Sequence, residues 1–360
     1  MHEVLQILWF LLITILLVGY FILDGFDLGS GILYPFVAKD EKEKAIVRRA
    51  VGPLWDGNEV WLLTAGGALF AAFAPAYATS FSGFYLAIML VLFGLIFRAI
   101  ALEFRSRDTA RWRRFWDVAF CVGSFVPALL FGAAIGNVIA GVALDGAGDY
   151  RGGFFSLLNP FALLCAVMGL VAFITQGAAW LALKAPLDSA VRKRAIRLRS
   201  LFNILELAVF ALVSIFFLFL VLPTFDLDAR LGMTVAYVFA GLFIVGWVVA
   251  RILLGTGKDV LIFLATNIIP VALVGLTAAS IFPYLIPAAD NPQGVITWFL
   301  TPGADIASLG LTIFNSSGSE LSLLCMTIIT CIGLPLVLAY HVIIYRTFRG
   351  RITEKDLGEY

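Results

Sequence analysis

Nine runs of roughly twenty or more apolar residues follow one another along this chain, and nothing constrains its fold more. They lie near 5–33, 54–76, 81–102, 116–141, 158–183, 201–222, 231–252, 259–282 and 322–346. Each is long enough to cross a hydrocarbon layer of about 30 Å as a helix. Only 14% of the residues are charged and the mean hydropathy is +0.99, which excludes a soluble globular protein. The expected fold class is therefore an all-α polytopic membrane protein of about nine transmembrane helices, one integral-membrane domain over 1–360. The N-terminus lacks a basic stretch before its first long apolar run, so no cleavable signal peptide is expected.

The basic residues sort the connecting segments into two sets. Segments 34–53, 98–114, 184–200, 251–258 and 346–360 hold 23 of the 25 Lys and Arg residues; the other side has only Arg151 and Arg230. The positive-inside rule makes the first set cytoplasmic, with the N-terminus outside and the C-terminus inside. An odd number of spans requires that arrangement. Arg111-Trp112-Arg113-Arg114 and Arg192-Lys193-Arg194 then read as topology signals with headgroup contact, not as a nucleic-acid surface. The longer outer-face loop, 283–320, opens with Pro283-Tyr284-Leu285-Ile286-Pro287 and later reads Asn315-Ser316-Ser317-Gly318, as a docking or packing element would.

Against this apolar background two acidic clusters stand out. Asp24-Gly25-Phe26-Asp27 follows the uncharged stretch Val4 to Leu23, and Trp55-Asp56-Gly57-Asn58-Glu59 leads into the second run. An ionisable side chain near hydrocarbon is costly and points to a path for ions or protons. Spans joined by a short loop are usually neighbours, so the two clusters should meet near the cytoplasmic surface. Like charges at short range raise each other's affinity for a proton, so the carboxyls could share one. Asp24, Asp27, Asp56 and Glu59 are the proton-path candidates, with Trp55, Asn58, Trp61 and Arg98 in support. Plainer readings compete. Asp56 and Glu59 could serve a helix N-terminus behind Pro53. Asp24 and Asp27 fall late in their span, where the dipole disfavours anions, and could pair with Arg48, Arg49 or Arg98 as a structural lock; Gly25, Gly29 and Gly31 could allow a bend or a close helix contact there. Trp55 and Trp61 suit interfacial anchoring or packing. Glu103 should pair with local arginines, while Glu206 in the sixth span is a costlier candidate. Gly66-Gly67 marks a close helix contact.

Other chemistry is thin. Cys121, Cys165, Cys325 and Cys331 are scattered without a CxxC spacing and read as small apolar residues. With only His2 and His341, the chain alone is not expected to hold a haem or a metal. No glycine-rich stretch followed by Lys-Ser/Thr suggests a phosphate-binding loop.

The motif Asp24-Gly25-Phe26-Asp27-Leu28-Gly29, with Trp55-Asp56-Gly57-Asn58-Glu59-Val60-Trp61-Leu62, closely resembles subunit II of cytochrome bd-type quinol oxidases. The likeness continues through Thr64 to Ala72, Phe81-Ser82-Gly83-Phe84-Tyr85, Gly123-Ser124-Phe125-Val126-Pro127, Leu158-Asn159-Pro160-Phe161, Thr175-Gln176-Gly177-Ala178 and Arg349-Gly350-Arg351-Ile352-Thr353. It spans nearly the whole chain and is weakest in spans six and seven and at 223–230. The resemblance implies nine helices, arranged as two four-helix bundles plus one peripheral helix, in a multi-pass subunit of the bacterial plasma (inner) membrane. It implies a partner, subunit I, holding two b-type haems and one d-type haem; subunit II carries none. The complex would couple quinol oxidation to the reduction of O2 to water, with protons taken from the cytoplasm. The family's proposed proton path maps onto Asp24 or Asp27 and Asp56. A structural quinone and small single-span accessory subunits occur in some members. The competing expectation from the residues alone is a proton-coupled secondary transporter, though its acids would then be expected in two matching halves. A third reading is a purely structural subunit.

Overall fold

The computed structural model describes residues 1–105, 109–145, 147–224, 232–289 and 310–359. Part of the connection 223–230 and most of the loop expected at 283–320 lie outside them. Thirteen α-helices are present among the described residues: α1 His2–Leu23, α2 Gly25–Val37, α3 Glu41–Val51, α4 Trp55–Ala72, α5 Ala74–Gly83, α6 Tyr85–Phe104, α7 Ala110–Ala140, α8 Pro160–Lys184, α9 Ala190–Phe216, α10 Met233–Leu253, α11 Asp259–Thr266, α12 Ile268–Ile281 and α13 Glu320–Thr347. In lipid a backbone must satisfy its own polar groups, and an α-helix does so. Among the described residues eight helical stretches are long and apolar enough to cross a membrane, with α1–α2, α9 and its π-helical end, and α11–α12 each counting as one. At the place of the second expected span stands α4, whose first five residues include Asp56, Asn58 and Glu59, with α5 running on from it.

Local signals explain the helix starts. Asn159 accepts from the Ala162 N–H at 2.8 Å ahead of Pro160, and Asp40 accepts from the Glu43 N–H at 2.8 Å. Ser189 and Ser319 cap α9 and α13 in the same way. The outer loop is pinned by a short antiparallel pair, β1 Tyr284–Ile286 with β2 Leu311–Thr312.

Packing falls into two groups and an outlier. The first joins α1, α2, α4, α6 and α7; the second joins α8 to α12; α8 ties the groups together through α2 and α7. The α2–α8 crossing is backbone on backbone: a Cβ on Gly29 would lie 1.8 Å from the Phe173 carbonyl oxygen, and one on Gly177 would lie 2.3 Å from Gly29. Gly94 and Gly123 bring α6 and α7 together the same way, with a Cβ on Gly123 only 2.9 Å from the Arg98 nitrogen. Helix α13 lies outside both groups against α1 and α4, and of its 28 residues only Leu323 is buried. Between α7, α8, α9, α10 and α12 opens an apolar cavity of about 190 Å³ lined by Cys165, Met168, Phe210 and Thr277, among others.

Ion pairs gather the basic segments on one face. Glu43 meets Arg194 at 2.8 Å, Lys42 meets Glu354 at 2.6 Å and Glu41 meets Arg105 at 3.0 Å. The opposite face joins the N-terminus to the outer segments, with His2 against the Gly318 carbonyl at 3.1 Å and the Gly318 N–H donating to Ala72 at 2.8 Å.

Candidate functional site

The first span is broken at its acidic motif. α1 ends at Leu23 and α2 begins at Gly25, with Asp24 between them at φ −87° and ψ −17°. Its N–H still donates to the Tyr20 carbonyl at 2.7 Å and its carbonyl still accepts from the Leu28 N–H at 2.9 Å, so the chain bends without unwinding. An unbroken span would put Asp27 at the unfavourable end of its dipole. The new helix corrects that expectation: Asp27 lies in the first turn of α2, where free N–H groups favour an anion.

Asp24, Asp27 and Arg98 are fully buried, and Asn58 is 1% exposed. Arg98, brought in on α6, donates from Nη2 to Asp24 Oδ1 at 2.7 Å and to Glu59 Oε1 of α4. Asn58 donates from Nδ2 to Asp27 Oδ2 at 2.7 Å and to the Leu23 carbonyl at 3.0 Å. Of the three arginines considered for a lock, Arg98 is the one that pairs with Asp24. The second oxygens of Asp24 and Asp27, and Nε and Nη1 of Arg98, have no hydrogen-bond partner among the described residues. Tyr20, fully buried, faces Asp24 without a hydrogen bond of ordinary geometry. Gln176 of α8 braces the break, donating to the Ile22 carbonyl at 3.3 Å and to Asn267 at 2.7 Å, where α11 gives way to α12.

α13 reaches this cluster through two side chains. Tyr345 donates to Asn58 Oδ1 at 3.2 Å. His341 Nδ1 lies 2.9 Å from the Val337 carbonyl, which can only accept, so Nδ1 carries the proton; Nε2 then accepts from Trp61 Nε1 at 3.1 Å. Tyr20, Gln176, His341 and Tyr345 are the members that the sequence did not single out. Tyr20 is legible in hindsight, one helical turn before Asp24. The rest arrive through contacts from far along the chain.

The other candidates separate. Glu59 is partly exposed, its side chain 24% accessible, and Asp56 is exposed. Neither side chain caps α4, but Asp56 lies in its first turn, where the dipole favours an acid. Asp56 also starts an exposed stripe on α4 that continues through Val60, Leu63, Gly67 and Phe70 at alternating spacings of four and three. Trp61 is buried and Trp55 half-buried against the core. Gly66 and Gly67 do not mark a helix contact among the described residues: none of these lies within 4 Å of a Cβ on either. Glu103 is exposed, and residues 106–108 beside it lie outside the described set. Glu206 is buried in the second group, apart from the Arg98 cluster. The cysteines are all free, with Cys325 and Cys331 exposed on α13, not buried. Among the described residues no group of three or more His, Cys, Asp or Glu could hold a metal ion.

The fold and the cluster define a polytopic helical membrane protein built around a buried carboxylate–guanidinium centre. The family model described as cytochrome bd terminal oxidase subunit II matches residues 5–348. The chain belongs to that family. It is 35% identical over 326 residues to a probable cytochrome oxidase subunit 2 of Haemophilus influenzae, covering 82% of this chain and 86% of that one. It is 45% identical over 199 residues to the cytochrome bd-I ubiquinol oxidase subunit 2 of Escherichia coli K12, covering 54% and 52%. A Bacillus subtilis cytochrome bd ubiquinol oxidase subunit 2 matches at 31% over 279 residues, covering 77% of this chain and 80% of that one. The structure of bd oxidase from Geobacillus thermodenitrificans superposes with a TM-score of 0.74 over 96% of this chain and 98% of that one, at 16% identity, so it speaks for the fold alone. With this membership the chain is a subunit of a quinol:oxygen oxidoreductase of the bacterial inner membrane. The transporter expectation gives way to it.

Proposed function

We propose that this subunit carries no redox centre of its own, supports the assembly of a haem-bearing subunit I, and feeds protons from the basic, cytoplasmic face through the Asp24–Asp27–Glu59 cluster. The observation that carries this reading is a buried guanidinium paired with two carboxyls, Asp24 and Glu59, beside a third buried carboxyl, Asp27, with access to the surface at Glu59. Keeping all three charged against Arg98 would bury excess negative charge, at a cost of several kcal/mol. The cluster therefore holds a proton that can be passed on. Asp24 is the fixed anion, tied to Arg98. Asp27, whose only side-chain donor among the described residues is a neutral amide, is the exchangeable member. Asp56 heads the exposed α4 stripe, the face offered to subunit I, so protons would join the path at the subunit seam.

Haem ligation does not suit the two histidines. His2 is engaged with Gly318 and His341 has both nitrogens satisfied, so the expected two b-type haems and one d-type haem fall to the partner. The apolar cavity of the second group has the lining for a structural quinone.

Asp27→Asn tests the path. It keeps the shape and the Asn58 contact, so the complex should assemble with its haem spectrum intact while oxygen uptake falls roughly tenfold or more. Asp24→Asn should instead strip haem from the purified complex, because Arg98 loses its buried partner. Unchanged uptake in Asp27→Asn would end the proton-path reading and leave a structural subunit.

A further inference from the structure

The second group of helices holds a buried polar stripe that the Arg98 cluster does not use. Arg199, Asn203 and Glu206 stand at i, i+4 and i+7 on α9 and share one face, each 1% exposed. At the basic end Arg199 donates to Asp259 Oδ1 at 3.1 Å, while Arg192 and Arg351 reach Asp259 Oδ2 at 2.8 Å each. Arg199 Nε, both side-chain polar atoms of Asn203 and Glu206 Oε2 have no hydrogen-bond partner among the described residues. α10 covers the stripe, with Trp247 donating to the Asn203 carbonyl at 2.6 Å. Beyond Glu206 the polar face stops. Phe210 stacks on Phe243, centroids 3.7 Å apart and 13° from parallel, and the apolar cavity begins there.

Seven residues of helix carry the stripe about 10 Å inward from Arg199 to Glu206. The charged groups of this region, Arg199 on α9, Asp259 on α11, Arg192 before them, Arg351 of the C-terminal tail and Arg251 of α10, which donates to Ser200 Oγ at 3.2 Å, all sit at its basic end. The helices packed around the far end contribute Met168, Ala172, Ile269 and Ala272. An ionised carboxylate in that setting would cost several kcal/mol, and buried amide and carboxyl groups call for a small polar partner.

We propose that Glu206 is a proton-binding site, reached from the basic face along Arg199 and Asn203 and separate from the Asp24–Glu59 cluster. The site rests on its own buried geometry and stands whether or not the other cluster conducts protons. The purified complex would be treated with dicyclohexylcarbodiimide at neutral pH, digested and mapped by mass spectrometry. A protonated carboxyl adds across a C=N bond of this apolar reagent and rearranges to an N-acylurea, so the whole reagent mass stays on the residue and nothing leaves. The expected result is an adduct on Glu206 that is unaffected by sodium chloride and lost in Glu206→Gln. No adduct overturns the proposal, and so does suppression by sodium, which would make the ligand a metal cation.

The route is tested by Asn203→Leu, using the infrared carbonyl band that Glu206→Gln removes. Hydrogen–deuterium exchange of that band should slow roughly tenfold, equivalent to about 1.4 kcal/mol of added barrier. Unchanged exchange, in complex whose helical content matches the wild type, overturns the route.

Discussion

Two charged clusters in this molecule have opposite stoichiometry. Around Arg98, two carboxyls, Asp24 and Glu59, converge on one guanidinium with no exposure at the cation, and a third, Asp27, lies buried beside them on Asn58. Around Asp259, three guanidinia converge on one carboxylate at the basic rim, where Arg192 and Arg351 keep 18% and 28% of their side chains in contact with solvent. A carboxyl can be neutralised by a proton, and a guanidinium cannot under any ordinary condition. Excess acid in a dry site is therefore a means of holding protons. Excess arginine at a wet rim is a clamp: Arg351 also donates to the Ala182 and Ala185 carbonyls at 2.9 Å, tying the C-terminal tail under α8.

The sharpest way to break this contrast is to remove the minority charge from each cluster. Arg98→Gln leaves fully buried Asp24 and partly exposed Glu59 without their cation, and should cost about 3–5 kcal/mol or block assembly. The check is the yield and haem content of the purified complex. Asp259→Asn should cost less, about 1–3 kcal/mol, because two of its three arginines can turn toward water. Its readout is the thermal stability of the complex in detergent. Mild acid should restore part of the Arg98→Gln complex and none of the stability lost in Asp259→Asn. Equal responses to acid would erase the distinction.

A smaller effect is expected where α13 touches the first cluster. Tyr345→Phe removes one hydrogen bond of 3.2 Å to Asn58, worth about 1 kcal/mol. Because Asn58 also holds Asp27, oxygen uptake should fall modestly with the haem spectrum unchanged. A loss as large as that of Asp27→Asn would instead put Tyr345 on the path itself.

Much of this was legible in the sequence, and the limits have physical reasons. Apolar runs near twenty residues report the spans because the bilayer sets that length. The skewed Lys and Arg content reports the face on which those segments gather. Asp24, Asp27 and Glu59 are visible because charge is rare in these surroundings. What the sequence conceals is partnership at long range. Arg98 is one of three plausible mates for Asp24, and the packing that selects it, with α6 seated closely on α7 at Gly94 and Gly123, is not written in any local pattern. His341 and Tyr345 meet the cluster some 280 residues after Trp61 and Asn58, with no local pattern to announce them. The break at Asp24 is legible only as a bend that Gly25, Gly29 and Gly31 could allow, and its position is hidden because both of its flanks are apolar. Gly66 and Gly67 mislead for a related reason: small residues mark a close approach without saying whether the neighbour belongs to the same chain.

The smallest expected effect concerns the basic-face strap and its response to pH. Glu354 accepts from Lys42 at 2.6 Å and is held below the usual carboxylate range by that ammonium; Asp356 is held below it by hydrogen bonds from Thr353. Glu41, on the neighbouring helix α3, is lowered chiefly by its hydrogen bonds from Arg105. A carboxyl with a depressed folded value contributes fully above its unfolded value of about 4 and loses that contribution as pH falls through the folded one. Lys42 is raised by Glu354, so its share would fade only in strong alkali. Acidification below the ordinary carboxylate range should thus raise protease cleavage within 353–359, while neutral and mildly alkaline buffers leave it unchanged. Cleavage should stay limited even in acid, because Arg351 on Asp259 and the Ile352 N–H on the Lys184 carbonyl at 2.8 Å hold the tail without any of these carboxyls. Wholesale release of the tail under mild acid would mean that the exposed pairs, and not the arginine clamp, hold it down.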